Sequence, residues 1–173
     1  MAHYQQSGRG NPTFAIIGIS TVLILIGGVL VFSSSGGTGS TPPSGGPTQL
    51  TATETLYDFG TISMKNGLVN RVFKVTNPSD KDIVVKRVHT SCMCTNAFIE
   101  SARGEKGPFG MDGMGYVPPA DETIKAGESL DIKVVYDPNA HGPAGVGAID
   151  RYVYLEDATG GELQFEIKAV VTP

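Results

Sequence analysis

The stretch LQFEIKAVV, residues 163–171, decides the fold class of this chain. Its apolar residues alternate with Gln164, Glu166 and Lys168, so an extended backbone places the two kinds of side chain on opposite faces. The same period of two recurs in four other segments, residues 69–76, 82–88, 130–136 and 152–155. About seven short strands separated by turns predict an all-β protein with the architecture of a β-sandwich.

The composition agrees with this fold class. The 173 residues include 23 glycines and 11 prolines, which are both poor in helix interiors. Without the first fifty or so residues, roughly 120 remain, enough for one compact domain. Lysine and arginine number 13 against 17 aspartates and glutamates, and no Lys/Arg cluster is present. A mildly acidic domain of this kind is not expected to bind nucleic acid.

An uncharged apolar run occupies residues 14–32. At about 1.5 Å of rise per residue, a helix of this length spans roughly 28 Å, close to the thickness of the hydrocarbon core of a bilayer. A secretory signal peptide is the alternative, but its apolar region is usually about 7 to 15 residues and ends at a small-residue cleavage site. We therefore predict an uncleaved transmembrane helix that begins at Phe14 and ends at Phe32.

The charges around this run predict its orientation. Arg9 precedes it, and no lysine or arginine follows until Lys65. The positive-inside tendency then places residues 1–13 in the cytoplasm and the rest of a single-pass cell-membrane protein outside. Residues 33–49 are almost all Ser, Gly, Thr or Pro and are expected to form a flexible linker to a domain at residues 50–173.

Both cysteines lie in the segment HTSCMCT, residues 89–95, and the first hypothesis for them is a structural disulfide. Thiols outside the cytoplasm tend to oxidise. In an extended chain the Cα atoms of residues i and i+2 lie about 6.5–7 Å apart, at the upper edge of the range for a disulfide. A bond between Cys92 and Cys94 would therefore need a bend at Met93.

The second hypothesis is a metal site. Thiols at positions i and i+2 of an extended segment point to the same side and could share one ion. Thiolate, thioether and imidazole donors together favour copper(I), with zinc second. A loop methionine is nevertheless more often a packing residue, and a histidine in a Gly/Pro turn is more often solvated. The candidate ligands are His89, Cys92, Cys94, Met111, Met114 and His141.

Thiol redox chemistry is the third hypothesis. Positive charge at Lys86, Arg87 and His89 would lower the pKa of a nearby thiol, although no C-x-x-C motif is present. The chain also has no G-x-S-x-G, no H-E-x-x-H and no phosphate-binding glycine loop. We therefore expect no enzyme.

The order of several motifs resembles a bacterial family. YDFG at residues 57–60, Phe73 with Asn77, and SCMCT at residues 91–95 are followed by KAGE at residues 125–128 and VYDP at residues 135–138. This order resembles the bacterial "domain of unknown function 1573", whose members carry a D-F-G start, an F-x-x-x-N strand and an S-C-x-C-T segment. The resemblance covers most of residues 50–173 and implies an immunoglobulin-like sandwich, often secreted or membrane-tethered, without an established activity.

Two features depart from the family pattern. Met93 stands where many members have glycine between the cysteines, and residues 104–119 follow neither period, which predicts a long irregular loop. The favoured function is a membrane-anchored, extracytoplasmic binding or structural module with an unknown protein or envelope partner. The alternative is copper or zinc binding through the cysteine segment and the methionine-rich loop.

Overall fold

The computed structural model describes residues 46–173. The predicted cytoplasmic segment 1–13, the predicted transmembrane helix 14–32 and residues 33–45 of the predicted linker lie outside the described residues. Within residues 46–173, every helix is too short or too polar to cross a membrane.

The described part of the chain consists of strands and two single turns of 3-10 helix, Met64–Asn66 and Gly142–Gly145. The strands are β1 (Gly46–Pro47), β2 (Thr51–Ala52), β3 (Leu56–Ser63), β4 (Val69–Thr76), β5 (Ile83–Thr90), β6 (Thr95–Ser101), β7 (Gly104–Phe109), β8 (Glu122–Ile124), β9 (Ser129–Tyr136), β10 (Gly147–Asp157) and β11 (Gly161–Thr172). They exceed the predicted number of about seven because β1, β2 and β8 have only two or three residues, too few to show an alternation.

The strands form two sheets. In the first, β1 and β3 pair in parallel with β11, which pairs on its other side with β10, followed by β5 and β8. The second sheet has the order β2-β4-β9-β6-β7, and all its pairs are antiparallel. The predicted all-β sandwich of two sheets is confirmed.

The core lies between the sheets, where the predicted alternation places it. On β11 the side chains of Phe165, Ile167 and Val171 are buried, while Val170 is 48% exposed. Phe165 stacks on Phe73 of β4 in the other sheet, with ring centroids 4.7 Å apart. This contact joins the two sheets through two of the largest buried side chains.

A buried asparagine, Asn77, organises the turn after β4. Its side-chain nitrogen donates hydrogen bonds to the carbonyl oxygens of Lys81 (2.7 Å) and Ile124 (2.9 Å). Its side-chain oxygen accepts hydrogen bonds from the backbone N–H (3.1 Å) and the hydroxyl (2.7 Å) of Ser79. The side chain has no exposed surface, and both of its polar atoms are satisfied by these four hydrogen bonds. It therefore fixes the turn against β8.

The prediction of a long irregular loop over residues 104–119 is wrong for its first part. Residues 104–109 form β7, which pairs with β6 as a hairpin, and the irregular segment begins only at Gly110. β7 is exposed at every position except Phe109. Because its pairing depends on the backbone rather than on an apolar face, the side-chain pattern gave no signal for a strand.

The ordered domain begins before the predicted boundary at residue 50. Gly46–Pro47, assigned to the linker by composition, form β1, and the Thr48 hydroxyl donates a hydrogen bond to Asp157. A Cβ atom at Gly161 would lie 2.7 Å from the Cα of Thr48. The two segments can therefore approach this closely only because residue 161 is glycine.

Candidate functional site

The cysteine turn, residues 91–94, connects β5 of the first sheet to β6 of the second. The backbone N–H of Thr95 donates to the carbonyl of Cys92 (3.1 Å), and the backbone N–H of Asp137 donates to the carbonyl of Cys94 (2.9 Å). The hydroxyl of Thr90 lies 3.0 Å from the Cys92 carbonyl. Hydrogen bonds from both sheets thus hold the turn in place.

Cys92 and Cys94 are joined by a disulfide within this turn. Their Cα atoms lie 5.2 Å apart, because the chain bends at Met93 instead of remaining extended. Cys94 is 1% exposed, and Cys92 is 8% exposed. Both cysteines are therefore buried, Cys94 more completely than Cys92.

Each sulfur has its own nitrogen neighbour. Cys92 Sγ lies 3.2 Å from Nε2 of His141, an exposed residue at the start of the turn Gly142–Gly145. Cys94 Sγ accepts a hydrogen bond of 3.3 Å from Nε of Arg151 on β10. The backbone N–H of Cys94 also donates to Cys92 Sγ (3.2 Å). The disulfide is thus contacted by two N–H groups and an imidazole.

Three of the six predicted metal ligands come together here. Among residues 46–173, Cys92, Cys94 and His141 form a group of His, Cys, Asp or Glu residues whose ligand atoms all lie within 4.8 Å of one another. Metals bind thiolates, and in the disulfide the two sulfurs are bonded to each other. The copper or zinc hypothesis therefore applies to the reduced chain.

His89 lies in a different environment. The period of two places it on the outer face of β5, opposite the buried Val88. Its ring stacks on Tyr154 at a centroid distance of 4.8 Å. Its Nδ1 lies 3.5 Å from Glu156 and its Nε2 lies 3.9 Å from Asp112. Closeness in sequence did not bring this histidine into the group around the disulfide.

The pKa of His89 is lowered below its ordinary value. Burial is the main cause, and the positive charge of Arg87 adds to it, while the carboxylates of Asp112 and Glu156 oppose the change. The folded protein therefore binds a proton at this ring less readily than the unfolded chain does. Stability is expected to fall as the pH drops through the ordinary value of 6.5 and below, where the unfolded chain takes up the proton first.

Substitution of His89 by phenylalanine tests this expectation. The ring contact with Tyr154 is retained while the titrating group is removed, so the variant should lose less stability than the wild type between about pH 7.5 and about pH 5. The measurement is the urea midpoint of the full chain at both pH values, with unfolding monitored by tyrosine fluorescence. An equal loss in both proteins would show that His89 is not a source of the acid sensitivity.

Met111 and Met114 line a separate feature, which we name the methionine pocket. Its volume is about 250 Å³, and its principal lining residues are Met93, Pro108, Met111, Met114, Tyr116 and Val117. Met93 is 49% exposed, Met114 58% and Tyr116 86%. The sequence had singled out two of these methionines as metal ligands, but Met93 lines the same pocket. Because Met93 also belongs to the cysteine turn, the methionine pocket lies next to that turn.

Residues 50–110 match the family model described as "Protein of unknown function (DUF1573)". The match confirms the predicted resemblance to this family over residues 50–110. The DUF1573 segment contains β2 to β7 and both cysteines, whereas His141 and Arg151 lie beyond the matched residues. The curated proteins contain no match to this chain.

Several solved structures are similar in fold. A protein of unknown function from Porphyromonas gingivalis W83 is 15% identical, with a TM-score of 0.50 over 75% of this chain and 51% of that chain. The VesB protease of Vibrio cholerae is 15% identical, with a TM-score of 0.49 over 71% and 32%. The PapD-like domain 7 of human CEP192 is 12% identical, with a TM-score of 0.44 over 79% and 92%.

This chain thus spans about half of the P. gingivalis protein and about a third of VesB. At these identities the likeness concerns the fold alone.

Proposed function

We propose that this protein is an extracytoplasmic protein-binding module, anchored in the cell membrane by the helix predicted at residues 14–32. Two features support a binding or structural role, the immunoglobulin-like β-sandwich and the match to a family without an assigned activity. The observation that carries the proposal is the exposed apolar rim of the methionine pocket.

The rim consists of Met93, Met114 and Tyr116, each about half exposed or more. Large apolar side chains gathered around a concavity are typical of interaction sites. Methionine adapts to differently shaped partners, and tyrosine and methionine are enriched at protein interfaces. These three side chains therefore offer a surface that a partner protein would cover.

The size of the pocket favours a peptide segment over a small molecule. Its volume of about 250 Å³ lies below the roughly 300–1,000 Å³ that is usual for small-molecule sites. A single apolar side chain of a partner would fill it, while the rim would cover the neighbouring backbone. We infer that the occupant is an exposed protein segment with one apolar anchor.

A photoreactive amino acid at position 116 of the full chain, in its native membrane, tests the proposal. We expect one dominant cross-linked protein, and Met114→Ser should reduce its yield at least about tenfold, which corresponds to the loss of an apolar rim contact worth about 1.4 kcal/mol or more. The same probe at Leu68, which is 62% exposed and does not line the pocket, is the control. Identical products from positions 116 and 68, or a yield unaffected by Met114→Ser, would refute this surface as the binding site.

A further inference from the structure

We propose that the Cys92–Cys94 disulfide undergoes thiol–disulfide exchange with dithiols of other extracytoplasmic proteins, with Cys92 as the attacked sulfur and Cys94 as the leaving sulfur. This goes beyond the non-catalytic binding role and does not depend on the methionine pocket. Three observations carry it: the unequal exposure of the two cysteine residues, the different group beside each sulfur, and the position of the bond in a turn that is already held by hydrogen bonds.

The exposure of the two sulfurs decides which one a thiolate reaches. An exchange depends on which sulfur is attacked and on access to it. Cys94 is 1% exposed, whereas Cys92 is 8% exposed and its sulfur contacts His141, which faces solvent. A partner thiolate therefore reaches Cys92 more readily than Cys94.

The group beside Cys94 suits a leaving sulfur. Arg151 Nε already donates a hydrogen bond to this sulfur at 3.3 Å, and a guanidinium keeps its charge at all ordinary pH values. When the bond breaks, the electron pair remains on Cys94 as a thiolate. Its negative charge then develops against a positive charge that is in place before the reaction.

The full exchange balances without a further reagent. The first partner thiolate forms a bond to Cys92 Sγ, and the Cys92–Cys94 bond breaks. The second partner thiolate attacks the partner sulfur of this mixed disulfide, and Cys92 leaves as a thiolate 3.2 Å from His141 Nε2. The partner dithiol has then lost two electrons and two protons to become a disulfide. Cys92 and Cys94 have gained these two electrons and two protons and become thiols.

A purely structural role explains the arrangement less well. The bond closes a loop between residues only two positions apart, and short loops constrain the unfolded chain least. Backbone hydrogen bonds from Thr95 and Asp137 already hold the two cysteine carbonyls. The disulfide therefore adds little to the geometry of a turn that both sheets fix.

The first test compares the two cysteines in the reduced full chain. Limiting iodoacetamide followed by peptide mass mapping should label Cys92 at least about tenfold faster than Cys94. In parallel, reduced Cys94→Ser should form a mixed disulfide with oxidised glutathione at least about tenfold faster than reduced Cys92→Ser. The labelling uses the wild-type sequence, so it stands even where a cysteine variant fails to fold. Equal labelling of the two cysteines would overturn the proposal.

The second test concerns Arg151. Reduction of the wild-type disulfide by glutathione, followed by intact mass, should slow about tenfold in Arg151→Gln at an unchanged urea midpoint, since the charge beside the leaving sulfur is lost. Arg151→Lys should recover part of the rate. Arg71→Gln, which removes an arginine paired with Glu54, is the matched control and should react like the wild type. An unchanged rate in Arg151→Gln would overturn the proposal, as would near-stoichiometric zinc or copper(I) that binds the reduced chain and blocks exchange.

Discussion

Replacement of Asn77 by alanine is expected to lower the free energy of unfolding by about 2–4 kcal/mol. The side chain makes four hydrogen bonds at a fully buried position. Alanine would leave the carbonyl of Ile124 without this donor in a buried setting, and each such group contributes a desolvation penalty of about 1–3 kcal/mol. The turn would also lose its attachment to β8.

Urea unfolding of the full chain, followed by tyrosine fluorescence, measures this effect. Asn77→Asp provides a sharper variant, because a carboxylate cannot donate to the two carbonyl oxygens and should destabilise at least as much as alanine. Asn70→Ala is the matched control: this asparagine is exposed on β4, and its loss should change stability by less than about 0.5 kcal/mol. If Asn77→Ala lowers the free energy of unfolding no more than the control does, this side chain does not anchor the turn.

Replacement of Phe165 by alanine should be the more damaging change, with a loss of about 3–5 kcal/mol. Its ring has no exposed surface and stacks on Phe73 across the two sheets, so truncation opens a cavity that neither sheet can close by a local shift. Since single domains are stable by only about 5–15 kcal/mol, this loss removes a large fraction of the total free energy of unfolding.

The control for Phe165 lies on the same strand. Val170 is on β11 but 48% exposed, and Val170→Ala should stay within about 0.5 kcal/mol of the wild type. Both variants are compared by urea midpoint and by thermal melting of the full chain. Similar losses at both positions would mean that the side-chain alternation along β11 does not separate core from surface.

The alternating strands were predictable because one face of each is buried. Residues 163–171 and 69–76 carry this pattern, and the observed burial of β11 and β4 follows it. β7 was missed because it is exposed along most of its length, and β1 because Gly46–Pro47 read as linker. Where a strand pairs through its backbone and buries no side-chain face, its sequence shows no alternation of apolar and polar residues.

The site was predictable only in part, for a similar reason. The cysteines were evident from their spacing, and His141 was chosen for its chemistry. Arg151 was missed because its contact with Cys94 spans 57 positions and arises from the place of β10 beside β5. His89 was included because it is near in sequence, yet the alternation along β5 places it on the outer face.

The central position of β11 has a consequence for how this protein folds during its synthesis. Pro47 pairs with Glu162, and Leu56 with Glu166, so two of the earliest described strands add to a strand that is synthesised more than a hundred residues later. The first sheet cannot form fully until β11 has been synthesised. β1 and β3 must stay open, with their hydrogen-bonding edges uncovered, until residue 172 has left the ribosome. Throughout that interval the unpaired backbone groups of these segments are open to pairing with the wrong strand.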